Sequence, residues 1–185
     1  MSDALLRTVV RVLFFATSRE RVAKQASASL ATYSNLANGL GEEDGRRTVR
    51  VPPMRGVDED MREWSFFMIL EHNRIVNRCI TSIVRQLAMG EPLSGDSVID
   101  PKSDVMPSPD VGPDVVERFR NSVHEHLEAV ASLGKLRGTR TTRHPVFGEF
   151  DAHQWNCMFA LHLKIHIPQA THVVRTVRAE FAEQS

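Results

Sequence analysis

Helix-breaking residues in this chain are gathered into connections, and the stretches between them carry apolar residues at three- and four-residue spacings. Residues 3–38 contain neither proline nor glycine, and Gly39 and Gly41 close that stretch. Leu5, Leu6, Val9, Val10, Leu13 and Phe14 give a helical stripe over its first half, and Ala26, Leu30, Tyr33, Leu36 and Leu40 another over its second. A helix much beyond ~25 residues is unusual in a domain this small, which predicts a break near Ser18. A polar connection over 41–60 contains Pro52 and Pro53. A second helix is predicted from Asp58–Asp60, whose carboxylates suit an electropositive first turn, to Gly90. Residues 91–113 hold five of the nine prolines, five acids and one lysine, the composition of a solvated connection. A third helix is predicted from Asp114 to Leu133, with Val116, Phe119, Val123, Val130 and Leu133 along its seam. Gly134 ends it. A fourth opens with Asp151 as N-cap and Gln154 three residues on, the capping-box spacing.

No alternating strand pattern and no internal repeat is visible. Four or five amphipathic helices joined by proline- and glycine-rich connections predict an all-α helical bundle with residues 1–185 as one domain.

Composition narrows the function classes. The 185 residues carry 23 Lys+Arg and 23 Asp+Glu, a formal charge of zero. That balance removes the general electrostatic reason to bind nucleic acid or an anionic membrane, although it leaves room for a local basic patch. Neither nucleic acid nor membrane is expected as a partner. Two cysteines, Cys79 and Cys157, cannot form a disulfide framework, and a reducing cytoplasm is the expected compartment. The apolar run Val9–Ala16 is interrupted by Arg11 and lacks a small-residue cleavage site, so it reads as a mature helix.

All eight histidines lie between His72 and His172. His162 and His166 are one helical turn apart, so their rings rise from the same face and can share a metal ion. They also interrupt the seam Trp155, Phe159, His162, His166, Gln169, Val173 that should face the core. His72 interrupts the stripe of Met68, Ile75 and Cys79 on the second helix in the same way. Burying imidazoles without partners costs ~1–3 kcal/mol per unsatisfied group, a difficulty that a shared metal removes. Three histidine ligands leave one coordination position open.

The segments WSFFMILEHNRIVNR and HPVFGEFDAHQWNCMFALHLKIHIPQ resemble the DinB/YfiT-like proteins. The second segment is the more specific, with HPxFG, then a tryptophan, then HxxxH followed by glutamine. The resemblance is best over residues 58–90 and 144–170. It implies an up-down-down-up four-helix bundle, here with an extra or extended N-terminal helix, and often a homodimer. It also implies His72, His162 and His166 as ligands of nickel, zinc or iron. Relatives include enzymes that use a low-molecular-weight thiol and others described as metal-dependent hydrolases acting on small molecules. A non-catalytic metal-binding or stress-response bundle is the competing class. The chain departs from the pattern at Pro168, where a proline clashes with the Lys164 carbonyl and predicts a kink beside His166.

Of the other histidines, His126 reads as a hydrogen-bonded core residue on the third helix's seam, with an inward catalytic or ligand role as its alternative. His124 and Glu128 form an HxxxE pair that lacks the companions a di-iron site needs. His144 is expected in the turn before the fourth helix, His153 exposed in its first turn, and His172 beyond the site. Cys79 and Cys157 read as small core residues, and neither a Ser/His/Asp nor a Cys/His nucleophilic triad can be assembled from local spacing. The loop carrying Lys135, Arg137, Arg140 and Arg143 reads as a solvated surface, or as a receiver for an anionic substrate.

Overall fold

A computed structural model of the chain describes residues 3–95, 100 and 103–184. The protein is mostly helical. Among the described residues the helices are α1 (Asp3–Ala16), α2 (Arg19–Ala37), α3 (Glu42–Arg46), α4 (Phe66–Met89), α5 (Val115–Ser132) and α6 (Ala152–Gln184). A small hairpin of β1 (Thr142–His144) and β2 (Gly148–Phe150) precedes α6.

The first long segment does break at Ser18. Its hydroxyl accepts from the Arg21 backbone N–H at 3.2 Å and caps α2. The second helix starts later than the acids at Asp58–Asp60 suggest. Glu59–Met61 form only a 3-10 turn with no side-chain cap, whereas Ser65 accepts from the Met68 N–H at 3.2 Å and opens α4. A hydroxyl that satisfies an otherwise unpaired helix donor defines the start better than carboxylates that only match the dipole. Gly90, at φ 75°, ends α4 in the left-handed conformation. Asp151 and Gln154 form the reciprocal capping box: the Gln154 N–H donates to Asp151 Oδ1 at 2.9 Å and the Asp151 N–H to Gln154 Oε1 at 3.1 Å. Helix α6 continues through Pro168 to Gln184.

The hairpin corrects the expectation of no strands. Three residues a side are too few to show alternation in sequence. Thr142, Arg143 and His144 pair with Phe150, Glu149 and Gly148.

Helix α4 packs against α5 and α6, while α2 packs against α6 and α5. Phe66, Ile69, Leu70, Phe119, Phe159 and Leu163 are fully buried between them. Helix α1 lies on α6 and buries Val10 and Phe14, but Val9 and Leu13 of its expected stripe are exposed. The connection over 91–113 is not solvated throughout: Val105 and Val111 are 5% and 7% exposed and close over the helices. Residues 96–99 and 101–102 of that connection, and the Leu6 side chain, lie outside the described residues.

A polar network crosses the core. Asn77 Nδ2 donates to Ser122 Oγ at 2.9 Å, His126 Nδ1 lies 2.9 Å from Thr81 Oγ1, and His126 Nε2 lies 3.0 Å from Asn156 Oδ1. The His126 ring is fully buried and stacks on Phe159 at 3.5 Å. It is therefore a hydrogen-bonded core histidine.

Candidate metal centre

His72 projects from α4 and His162 and His166 from α6, because the packing of these two helices turns their interrupted seams toward one another. The candidate ligand nitrogens of the three rings all lie within 4.8 Å of one another. His72 Nε2 and His162 Nε2 are 3.2 Å apart. Two nitrogens bound tetrahedrally to one ion at ~2.0–2.1 Å stand about 3.3 Å apart, so this pair already has the span of a chelate. The looser pairs must close by up to roughly 1.5 Å to complete such a set.

Backbone carbonyls set the tautomers of two rings. His72 Nδ1 lies 2.8 Å from the Val105 carbonyl oxygen, which can only accept, so Nδ1 carries the proton and Nε2 a lone pair. Gln169 transmits the same constraint one step further. Its Nε2 donates to the Met61 carbonyl at 2.7 Å, which fixes the amide orientation. Its Oε1 then accepts from His166 Nδ1–H at 2.9 Å, leaving a lone pair on His166 Nε2. Outer partners of this kind orient and polarise metal-binding imidazoles. His162 differs from both, since its Nδ1 is buried without a hydrogen-bond partner. Its Nε2–H donates to the lone pair of His72 Nε2, and to hold an ion through Nε2 the ring would have to carry its proton on Nδ1 instead.

His72 and His166 are each 2% exposed; His162 is partly exposed as a residue, but its ring Nδ1 is buried. Burial pushes His72 down to about 3, helped by the nearby His166 and opposed by the bond to Val105. Burial likewise holds His162 well below the usual imidazole range, with His166 and His72 adding to it, and lowers His166 against the opposing bond to Gln169. All three rings are neutral at pH 7, the form a metal requires. Trp64 packs over His72 with ring centres 5.0 Å apart. Tyr33 donates to the Leu163 carbonyl at 2.8 Å and ties α2 to the backbone between the two α6 histidines.

None of the remaining candidates joins the three-histidine group, although His144 lies near enough to His162 to help hold its pKa down. His124 is exposed, as is Glu128, and His172 is half-buried on the outer side of α6. His144 ends β1 at the hairpin turn, where its Nδ1 accepts from the N–H groups of Val146 and Phe147 at 3.1 and 3.3 Å. The four cations of the loop over 135–143 are exposed.

His153 corrects its expected exposure: it is 2% exposed, with Cys157 Sγ 3.5 Å from its Nε2. This is a Cys/His pair that the sequence reading did not assemble, yet it is not an activated nucleophile. His153 Nε2 lies 3.1 Å from the Phe14 carbonyl oxygen and must carry its proton there, so it cannot serve as a base toward sulfur. Burial pushes the Cys157 thiol up to about 12.

Sequence reasoning placed the three ligand candidates but missed the Val105 and Met61 carbonyls, because a backbone acceptor has no side-chain signature. Gln169 was visible as a polar interruption of the α6 seam. The fold and site define a mostly helical protein with a three-histidine group that could hold a metal ion. No family model, no curated protein and no solved structure matches the chain.

Proposed function

We propose that the chain is a mononuclear metal protein of the DinB/YfiT-like kind, with a divalent nickel, zinc or iron ion held by His72, His162 and His166. In this reading α2, α4, α5 and α6 are the four helices of an up-down-down-up bundle and α1 is an addition. Their ring of pairwise contacts, α2 with α5 and α6 and α4 with the same two, supports that assignment. The observation that carries the metal reading is the 3.2 Å separation of two Nε2 atoms, combined with the carbonyl-locked tautomers of His72 and His166.

An ion there supplies Lewis acidity that favours the deprotonated form of a thiol or a water at neutral pH. The chain's own residues shape which ligand is favoured. Glu71, the acid next to His72, is paired with Arg74 at 2.8 Å, and Asp58 is the acid that acts on His166, so three neutral imidazoles would leave most of an ion's positive charge for an anionic ligand to meet. The Cys157 thiol stays protonated and tied to His153, so a reacting thiol comes from the substrate side. Both points fit a low-molecular-weight thiol as co-substrate, and the first fits a metal-bound hydroxide equally well.

The test is metal analysis of protein purified without chelators. About one equivalent per chain, lost when His162 and His166 are both changed to alanine, is the expected result. A wild-type chain that holds no nickel, zinc or iron, and takes up none on titration, ends the proposal. Addition of a small thiol to the cobalt-substituted protein should shift its visible spectrum. A spectrum that ignores thiols removes the thiol step and leaves hydrolysis or a non-catalytic metal site.

A further inference from the structure

Helix α1 is apolar on two sides, and the fold covers one of them. Val10 and Phe14, four residues apart, are 7% and 6% exposed against α6. Val9, Val12, Leu13 and Ala16 form a second stripe at three- and four-residue spacings on the opposite side. Val9, Val12 and Leu13 are 41%, 62% and 58% exposed, and Phe15 at the helix's end is 77% exposed. A contiguous exposed apolar face of this kind marks a docking surface.

The charges beside this face are cationic. Arg7 and Arg11, four residues apart and exposed, lie on the flank between the two apolar stripes. At the C-terminal end of α1 the Arg137 guanidinium sits 5.6 Å from the Phe15 ring centre, over its face, and donates to the Thr17 carbonyl at 2.8 Å. Beside it is a cavity of about 330 Å³ lined by Ser18, Arg19, Lys135, Leu136, Arg137 and His153. Arg19 donates to the Leu133 carbonyl at 2.9 Å and to the Gly134 carbonyl. The two arginines of this recess bond neutral carbonyl oxygens, and Glu20 is the acid that acts on Arg19. Asp151, at the start of α6, accepts from the Gln154 N–H and from the Gly138 N–H at 2.8 Å and sets one negative charge against the cations of this region. Glu20 is exposed in the first turn of α2. Arg140 and Arg143 extend the positive surface along the loop.

We propose that α1 and this cationic recess form a docking surface for an anionic lipid bilayer. Val9, Val12 and Leu13 enter the acyl boundary while α1 lies in the plane of the interface, and Arg19, Lys135 and Arg137 receive a lipid phosphate. An apolar helix face flanked by arginines is the pattern that binds anionic interfaces. A second copy of the chain fits less well, because an isologous contact would set the same cations against one another. The overall neutral charge does not oppose this reading, since attraction acts over about a Debye length and is set by the cations beside α1 rather than by the net charge. No helix among the described residues is long and apolar enough to cross a membrane, so the association is peripheral.

Sedimentation with vesicles tests the proposal, using phosphatidylcholine alone and phosphatidylcholine with about 30% phosphatidylglycerol. The full chain should partition onto the anionic vesicles at least ~10-fold more strongly than onto the neutral ones, and this preference should fall as salt rises. Val12→Glu with Leu13→Glu should abolish binding, and Lys135→Glu with Arg140→Glu should do so independently, each with helical content and metal content unchanged. Failure to bind anionic vesicles, equal binding to both vesicles, or binding that survives both double substitutions overturns the proposal. A dimer in solution that Val12→Glu with Leu13→Glu dissociates also overturns it, because the face is then covered by a second copy.

Discussion

Gln169 stands between a candidate ligand ring and a backbone carbonyl and has one hydrogen-bonding group for each. Gln169→Leu removes the acceptor from His166 Nδ1–H and frees the ring to rotate. Its metal affinity should fall about 10–100-fold, the usual effect of losing an outer partner. Gln169→Glu keeps an acceptor for Nδ1–H but sets a carboxylate oxygen against the Met61 carbonyl. It should retain most of the affinity while the metal-free protein loses ~1–3 kcal/mol. Zinc titration calorimetry with a competing chelator distinguishes the two, and a leucine variant that binds like wild type refutes this role. His126 makes a separate prediction at the same scale. Burial pushes it down to about 4, against an unfolded value of 6.5. The unfolded chain therefore binds more protons between those values, so stability is full above pH 6.5 and is lost as pH falls toward 4. At pH 5 the loss from this residue is about 2 kcal/mol. His126→Phe should be less stable at pH 7.5, since Thr81 and Asn156 lose their partner, yet show a pH dependence shallower by about that amount in urea unfolding. Equal pH slopes for the two proteins would remove His126 from the acid sensitivity.

Element boundaries show what could be read in advance. The capping box at Asp151 was legible because both partners are side chains at a fixed spacing, and the Asp151→Ala variant should lose ~1 kcal/mol of stability. The start of α4 was misplaced because Asp58–Asp60 resemble a first turn in composition, while Ser65 alone makes the capping bond. Gly45 shows a constraint that no pattern carries. A Cβ there would meet the Phe67 ring at 2.2 to 2.6 Å, and that ring is 3% exposed and enclosed by the core. Gly45→Ala should therefore destabilise the fold by ~1–3 kcal/mol, as overpacking does, and a thermal melt unchanged from wild type would contradict this close contact. Helical seams on α4 and α6 were readable from apolar spacing, and so was the interruption of both by histidine. Whether those interruptions meet depends on how far one helix slides along the other, which spacing within a single helix does not fix. The Val105 carbonyl illustrates the same limit, because it reaches His72 only after a proline-rich connection has folded back over α4.

At the scale of the whole molecule the site joins parts that are distant in the chain. Its rings come from α4 and α6, while their outer partners come from the turn before α4 and from the connection between α4 and α5. An ion held by all three rings would tie these four parts together in the folded state and have no comparable site in the unfolded chain. Binding free energy then appears as folding stability. With free metal at about 100 times its dissociation constant, the gain is ~2.7 kcal/mol. For a chain of this length each kcal/mol moves the melting temperature by about 2–4 °C. Chelation should therefore lower the wild-type Tm by roughly 5–10 °C, and restoring the metal should reverse the change. The protein with alanine at both His162 and His166 should melt at the same temperature with and without chelator. If chelation left the wild-type Tm unmoved, the three imidazoles would be packed in the core without an ion. The 3.2 Å contact between His72 and His162 would then be a hydrogen bond alone.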